Sequence, residues 1–470
     1  MKPKPSQPTS SSAKPSSHLL IVVLLIAVLI GNFVISAKFA SETPWRTGGV
    51  VLSMGHAPAK DIGAPDERQH ANYIRNLANG EGFPVFNPTD PNLYESYQSH
   101  QPPAFYVLAT GYSRLLALDL QSSLDSNDTG FKLRLLNCFV GVFAVLGIYF
   151  LGSWGFTPGV GLAAAAFAGF LPMFCALCGS VGNDPMLVAL CSWVLAFCAL
   201  GIKQGWNWKI ALAAGILTGI AILTKSSAIG LLPVLLVAAL LPQTKKPSLS
   251  MAACTAIIAL AIAGPWLARN QRLYGDPLAA KAFTQAFKGS AQKEMIVGVI
   301  SAPGNTNPEM TSWKDWVGWW TARSFVGAFG YMDIWMNESG LANRETDKNT
   351  LYRLMLVGLG IAALGWVLSF GKPEYRKDWA VQMINGVFLL IILASFVRFN
   401  MQYFQAQARY LLPALGPLAC GFGIGLNVLL KNRSVLVFAI LAIALVGIDV
   451  YALNMLPDQF KARVTSASAP

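Results

Sequence analysis

Seven charged residues stand out by type and place. Asp184, Lys225, Arg269, Arg409 and Asp449 lie inside or at the ends of long apolar runs, and the pair Asp66-Glu67 opens an amphipathic stretch in a polar segment. Ionisable groups within or at the mouth of an apolar bundle are costly, so function is sought there first. A carboxylate can take a proton from a hydroxyl, while lysine and arginine hold a departing anion. The set suits transfer of a group from phosphate to a hydroxyl. One of Asp66 and Glu67 supplies the base, and Lys225, Arg269 and Arg409 are candidates for the phosphate. A helix N-terminus at Asp66 keeps its carboxylate ionised near neutral pH, which a base requires.

The elements that must position these residues are membrane helices. The chain is 54% hydrophobic and only 12% charged, far from the usual quarter charged. That excludes an ordinary soluble enzyme. The 42 Gly and 27 Pro follow no period, which excludes a collagen-like chain. The net charge of +12 is spread in small groups between apolar runs and forms no basic stripe, so no nucleic-acid partner is expected and the charge reads as topology. All seven Cys lie in apolar runs, including the Cys175-x-x-Cys178 pair, and read as packing residues with no disulfide framework.

Apolar runs long enough for roughly 30 Å of hydrocarbon occupy residues 19–38, 135–152, 157–178, 184–201, 209–224, 227–241, 250–268, 351–370, 379–397, 410–430 and 434–455. The expected fold is an all-α polytopic membrane protein with about eleven spans. A cytoplasmic tail (1–18) precedes the first span, and a first extracytoplasmic loop (39–134) carries the acids. Spans two to seven fill 135–269, a second extracytoplasmic loop covers 270–350, spans eight to eleven fill 351–455, and a C-terminal tail covers 456–470. The short segments on the N-terminal side hold Lys2, Lys4, Lys14, Lys203, Lys209, Lys245, Lys246, Lys372, Arg376, Lys377, Lys431 and Arg433. The opposite side holds only Lys225, Arg398, Arg409, Lys461 and Arg463. The positive-inside rule therefore puts both long loops outside. Four of the five charged residues in the apolar runs share that face with Asp66 and Glu67. No nucleotide is supplied there, so the transferred group must come from a lipid-borne donor, and a polyprenyl-phosphate sugar fits.

Two helices are expected in the first outer loop. Pro65 suits a first helical position, Asp66 and Glu67 favour the positive end of the dipole, Ala71, Ile74, Leu77 and Ala78 share a face, and Gly80 and Gly82 end it after about four turns. After Pro102-Pro103, the residues Phe105, Leu108, Ala109, Tyr112, Leu115 and Leu116 repeat at helical spacing. Both helices are expected on the outer membrane surface. Trp313, Trp316, Trp319, Trp320 and Trp335 in the second loop read as an interfacial belt.

The stretches Pro65-Asp66-Glu67-Arg68-Gln69-His70 and Glu95-Ser96-Tyr97-Gln98-Ser99-His100-Gln101-Pro102-Pro103-Ala104-Phe105-Tyr106 resemble the first outer loop of GT-C-fold glycosyltransferases. The similarity is greatest to the protein O-mannosyltransferase and lipid A aminoarabinose transferase group. It continues through Gly182-Asn183-Asp184, Leu223-Thr224-Lys225, Trp266-Leu267-Ala268-Arg269-Asn270 with Leu273-Tyr274-Gly275-Asp276-Pro277, and Gln407-Ala408-Arg409-Tyr410-Leu411-Leu412-Pro413. The resemblance implies a polyprenyl-phosphate sugar donor and an extracytoplasmic acceptor, with membrane lipids around the bundle. It makes Asp66 the base, Glu67 its neighbour, Asp184 a second acid near sugar or acceptor, and Lys225 and Arg409 the cations near phosphate. Gln101 stands where the group has histidine before the prolines, and His100 is shifted by one. Acceptor recognition would fall to the second outer loop, and a bacterial inner membrane with the site facing the periplasm is the expected setting.

Each residue also has a plainer role open to it. Asp66 and Glu67 can serve helix-start electrostatics, Lys225 can snorkel, Arg269 and Arg409 can anchor span ends, and Asp184 can cap a helix ahead of Pro185. Asp449 has no evident partner and reads as packing or contact with a lumenal water. No cofactor is required by these residues, although Asp66 and His70 with Glu95 or His100 leave a divalent cation open. A transporter or flippase is the rival class, but it places charges near the midplane in repeated halves, and neither feature is seen.

Overall fold

In hydrocarbon a backbone amide has no water to bond, so the apolar runs must satisfy themselves as helices. The computed structural model describes residues 15–54, 56–243, 247–288, 317–341, 348–403 and 405–467. Trp313, Trp316, Lys2, Lys4, Lys14, Lys245 and Lys246 lie outside them. Local side-chain chemistry sets where helices begin. Ser126 accepts from the Thr129 amide to open Asn127–Gly155, Thr157 accepts from Val160 ahead of Pro158, and Asn207 accepts from Lys209 and Ile210.

Among the described residues eight helices are long and apolar enough to cross a membrane, or nine when a bent pair counts as one span. The expected eleven is not reached. Pro158–Gly169 and Pro172–Cys178 meet at an angle of 67°, because Pro172 has no amide to donate and Leu171 before it is extended. Trp208–Ile222 has 15 residues and rises only about 22 Å. Ser226–Leu240 is similarly short. The remaining spans are His18–Glu42, Asn127–Gly155, Asp184–Gln204, Leu249–Tyr274, Thr350–Ser369, Trp379–Gln402, Ala408–Leu429 and Ser434–Ala467.

The Asn127–Gly155 helix is the hub, packing on Pro15–Glu42, Pro158–Gly169 and Asp184–Gln204. Ile148, Leu151, Val194 and Leu195 are fully buried there. Small residues allow close approach elsewhere, as membrane helices require when no hydrophobic force drives them together. A Cβ on Gly425 would stand 1.9 Å from the Ala362 carbonyl oxygen, so Leu415–Leu429 and Thr350–Ser369 touch backbone to backbone.

The first loop folds onto one end of this bundle. Its helix runs Glu67–Ala78, about three turns, with Pro65 outside it. Ala71 and Ile74 are buried in one cluster with Phe105, Tyr106, Leu133 and Leu136, so this helix turns its apolar face to protein and not to the membrane surface. The second helix, Ala104–Leu115, leaves Val107, Leu108 and Leu115 exposed, as a surface-lying helix does. Trp335 departs from the interfacial expectation. The two-residue strands Ala328–Phe329 and Ile334–Trp335 pair antiparallel and turn its ring inward against Trp320 and Tyr352. The last helix extends to Ala467, and the buried Arg463 donates to Asp333 at 2.9 Å.

Candidate functional site

Four charged residues from four separate segments meet at the end of the bundle covered by the first loop. Asp66 is the residue before the Glu67–Ala78 helix, Asp184 begins Asp184–Gln204, Lys225 follows Trp208–Ile222, and Arg409 lies in the 3-10 turn Ala408–Ala414. Arg409 Nη2 donates to Asp66 Oδ2 at 2.6 Å, Lys225 Nζ donates to Asp184 Oδ1 at 2.6 Å, and Arg409 Nη1 stands 4.0 Å from Asp184 Oδ2. The charges alternate in sign along one chain of contacts, two negative and two positive. Their side chains are at most 19% exposed, so salt screens these pairs less than surface pairs.

Local structure explains the placement. Asp66 adopts the left-handed backbone conformation with φ 63°, which Asp tolerates better than most residues. Its Oδ1 accepts a hydrogen bond from the Tyr97 hydroxyl. Asn183 ties the next segment down by donating to Gln101 Oε1 at 3.3 Å and to the Thr224 carbonyl at 3.1 Å. The Ala104 amide donates to the Leu223 carbonyl at 2.8 Å. Ser324 Oγ accepts from the Ala408 amide at 2.9 Å and so fixes the turn that presents Arg409. Tyr410 lies against both cations, 5.3 Å from Lys225 Nζ and 5.0 Å from Arg409 Cζ, a cation–π arrangement.

Not every expected residue joins this group. Glu67 points the other way. Arg134 grips both of its oxygens, with Nε at 2.8 Å and Nη2 at 2.5 Å, and Oε1 also accepts the Val181 amide at 2.7 Å. The same guanidinium donates to the carbonyls of Ala40, Thr43 and Pro44. Glu67 is therefore a buried clamp joining the first helix, the first loop and the segment before Asp184. Arg269 also stands apart from this group. It lies over the Trp266 ring at 4.5 Å and donates to the Pro84 carbonyl at 2.9 Å and to the Phe83 carbonyl at 3.3 Å, strapping the loop to its helix. His100 makes its bond to the Tyr97 carbonyl at 2.6 Å and sits among Phe86 and Phe283. Gln101 Oε1 accepts from Asn183, and its amide nitrogen lies 3.2 Å from His100 Nε2. Asp449 is buried with neither carboxyl oxygen hydrogen-bonded among the described residues, and it belongs to the bundle interior.

The residues that left a divalent cation open are engaged with other partners. Glu95 is held by Arg68 and Asn72, His70 Nδ1 bonds the Tyr106 hydroxyl at 2.8 Å, and among the described residues no three His, Cys, Asp or Glu are grouped to hold a metal. Arg409 and Lys225 supply the positive charge beside the two acids. Tyr97, Asn183, Tyr410 and Arg134 were not singled out by sequence reasoning. The first three lay inside the quoted motifs, where type and spacing gave no role apart from their charged neighbours.

Burial raises the Asp66 carboxyl, but Arg409, His70 and Tyr97 more than offset it and hold it below the usual value. Burial pushes His70 and His100 down to about 4, so both are neutral at pH 7. Asp61 behaves oppositely: burial, with Glu67 adding to it, pushes its carboxyl from 3.8 to about 6. An acid with a raised folded pKa binds more protons when native, so stability falls as pH climbs from 3.8 to about 6 and does not recover above. Asp61→Asn is expected to flatten that part of the unfolding-temperature curve measured in detergent.

Comparisons with known proteins agree with this architecture. The family model for dolichyl-phosphate-mannose-protein mannosyltransferase matches residues 115–268, less than half of the chain. No curated protein matches. Among solved structures, the Archaeoglobus fulgidus oligosaccharyltransferase in complex with Zn and sulfate superposes with a TM-score of 0.50 at 17% identity, over 92% of this chain and 53% of that one. The fold is GT-C. ArnT from Cupriavidus metallidurans bound to undecaprenyl phosphate is also similar, with a TM-score of 0.38 at 16% identity, over 90% of this chain and 78% of that one. The chain spans little more than half the length of the archaeal enzyme. Within this GT-C fold, the charged group lies where the first loop closes over the ends of the helices.

Proposed function

We propose that this chain is a membrane glycosyltransferase that moves one sugar from a polyprenyl-phosphate donor to a hydroxyl of an extracytoplasmic acceptor. The observation that carries the reading is the convergence of Asp66, Arg409, Asp184 and Lys225 at one end of an apolar bundle. A base and two cations in one partly buried place are what displacement of a lipid phosphate requires. The matching mannosyltransferase model supports the same class of donor. The distribution of lysine and arginine supports an outward-facing site, and the setting proposed for it is a bacterial inner membrane with the site toward the periplasm.

In the proposed step the acceptor oxygen attacks the anomeric carbon as the bond from that carbon to the phosphate oxygen breaks. The bonding pair leaves with the phosphate, which Lys225 and Arg409 hold, and the acceptor proton passes to Asp66. The products are the glycoside and the polyprenyl phosphate. Asp184, the other carboxylate of the group, is engaged by Lys225 and is given no nucleophilic role in this scheme, so the displacement is single and inverts configuration, by analogy with inverting glycosidases.

Purified protein in detergent, given a radiolabelled polyprenyl-phosphate sugar and a hydroxyl acceptor, is expected to form labelled glycoside. Product formed only from a nucleotide sugar would remove the donor class. Tyr97 is a positioning residue in this scheme, because its hydroxyl orients Asp66 Oδ1. Tyr97→Phe is expected to lower kcat by about tenfold, the loss of one hydrogen bond to a charged group, with the donor KM unchanged. A change in KM alone would place Tyr97 in donor binding instead.

A further inference from the structure

Asp184 presents a puzzle for a phosphate site, because a carboxylate sits where an anion should bind. Its Oδ1 takes the Lys225 ammonium at 2.6 Å, while its Oδ2 reaches only to 4.0 Å from Arg409 Nη1. It spans the two cations but fully engages one. Arg409 is correspondingly undersatisfied. Its Nη2 serves Asp66 and the Tyr410 hydroxyl, but its buried Nε has no hydrogen-bond partner among the described residues. A buried donor without a partner is uncommon and asks for a ligand.

We infer that Asp184 is a stand-in for the donor's phosphate, holding Lys225 and Arg409 in position until the lipid phosphate displaces it. The inference rests on the reading of this group as a lipid-phosphate site. Charge balance argues for displacement over simple addition. Two acids and two cations already neutralise one another, so an entering phosphate leaves the group with excess negative charge unless one carboxylate withdraws from the cations. Asp66 is held on both oxygens, by Tyr97 and by Arg409. Asp184 is held on one. Asp184 is therefore the carboxylate that yields, and Arg409 then bridges the phosphate and the base. Tyr410, packed against both cations, keeps them facing the same space during the exchange.

This assignment makes an unusual demand on a site residue: removing it must strengthen binding. Calorimetric titration of a polyprenyl phosphate into the full-length protein in detergent is expected to show on the order of tenfold tighter binding for Asp184→Asn and Asp184→Ala than for wild type, the worth of one charged hydrogen bond no longer exchanged. Lys225→Gln is expected to weaken it. Equal or weaker binding by both Asp184 variants, with wild type binding normally, would overturn the inference and leave the lipid-phosphate reading intact. Absence of binding by wild type would take down that reading itself. A second readout avoids variants. The infrared difference spectrum of wild type with and without the lipid phosphate is expected to show a shifted carboxylate stretch, and an unchanged spectrum in the presence of saturating lipid would contradict displacement.

Discussion

Asp66→Asn is expected to lower kcat for sugar transfer by on the order of a thousandfold, about 4 kcal/mol of barrier. Asparagine keeps the shape of the side chain and can still accept from Tyr97, but it cannot take the acceptor's proton. The loss should appear equally in kcat and kcat/KM, the mark of an interaction made in the transition state. Transfer by this variant at the wild-type rate would show that another group is the base. Asp184 is the only other carboxylate in the charged group described here, and it is separated from Asp66 by Arg409.

The second large effect is structural. Arg134→Ala is expected to destabilise the protein by about 3–5 kcal/mol, because it leaves the Glu67 carboxylate buried without its cation and frees three carbonyls that the guanidinium holds. Glu67 is 1% exposed, so water cannot replace the lost partner. Chemical unfolding in detergent measures the change. Glu67→Gln is expected to cost less, since the amide still accepts from the Val181 amide and from Arg134. If Arg134→Ala unfolds like wild type while Glu67→Gln abolishes transfer, Glu67 belongs to the chemistry and not to the clamp.

The two acids of one dipeptide therefore have different partners, Arg409 for Asp66 and Arg134 for Glu67, and their sequence held no sign of it. Adjacent residues at a helix start point in different directions, and Glu67 is drawn away from the charged group by Arg134, 67 positions further on, the last residue of the expected first outer loop and one to which type and spacing gave no role. Lys225, Asp184 and Arg409 were legible because a charge at the end of an apolar run is expensive wherever it is found. Arg269 met the same criterion but lies apart from that group, on the carbonyls of Phe83 and Pro84, since cost alone does not say whether a backbone carbonyl or a substrate offsets it. The helical class was equally legible from hydropathy. The number of full spans was not, because the bend at Pro172 and the brevity of Trp208–Ile222 do not interrupt the apolar runs in which they lie. Trp335 was misplaced for a related reason: an indole suits an interface and a core alike, and the short strand pair that buries it leaves little trace in sequence.

The most direct test is to locate the lipid phosphate on the protein. A polyprenyl phosphate carrying a photoreactive group beside its headgroup, irradiated with the protein in liposomes, should label peptides that contain Lys225 or Tyr410, and excess unlabelled lipid should suppress that labelling. Labelling confined to the far end of the bundle, in the shallow groove lined by Arg433, Val435 and Ala439, would contradict the proposed site.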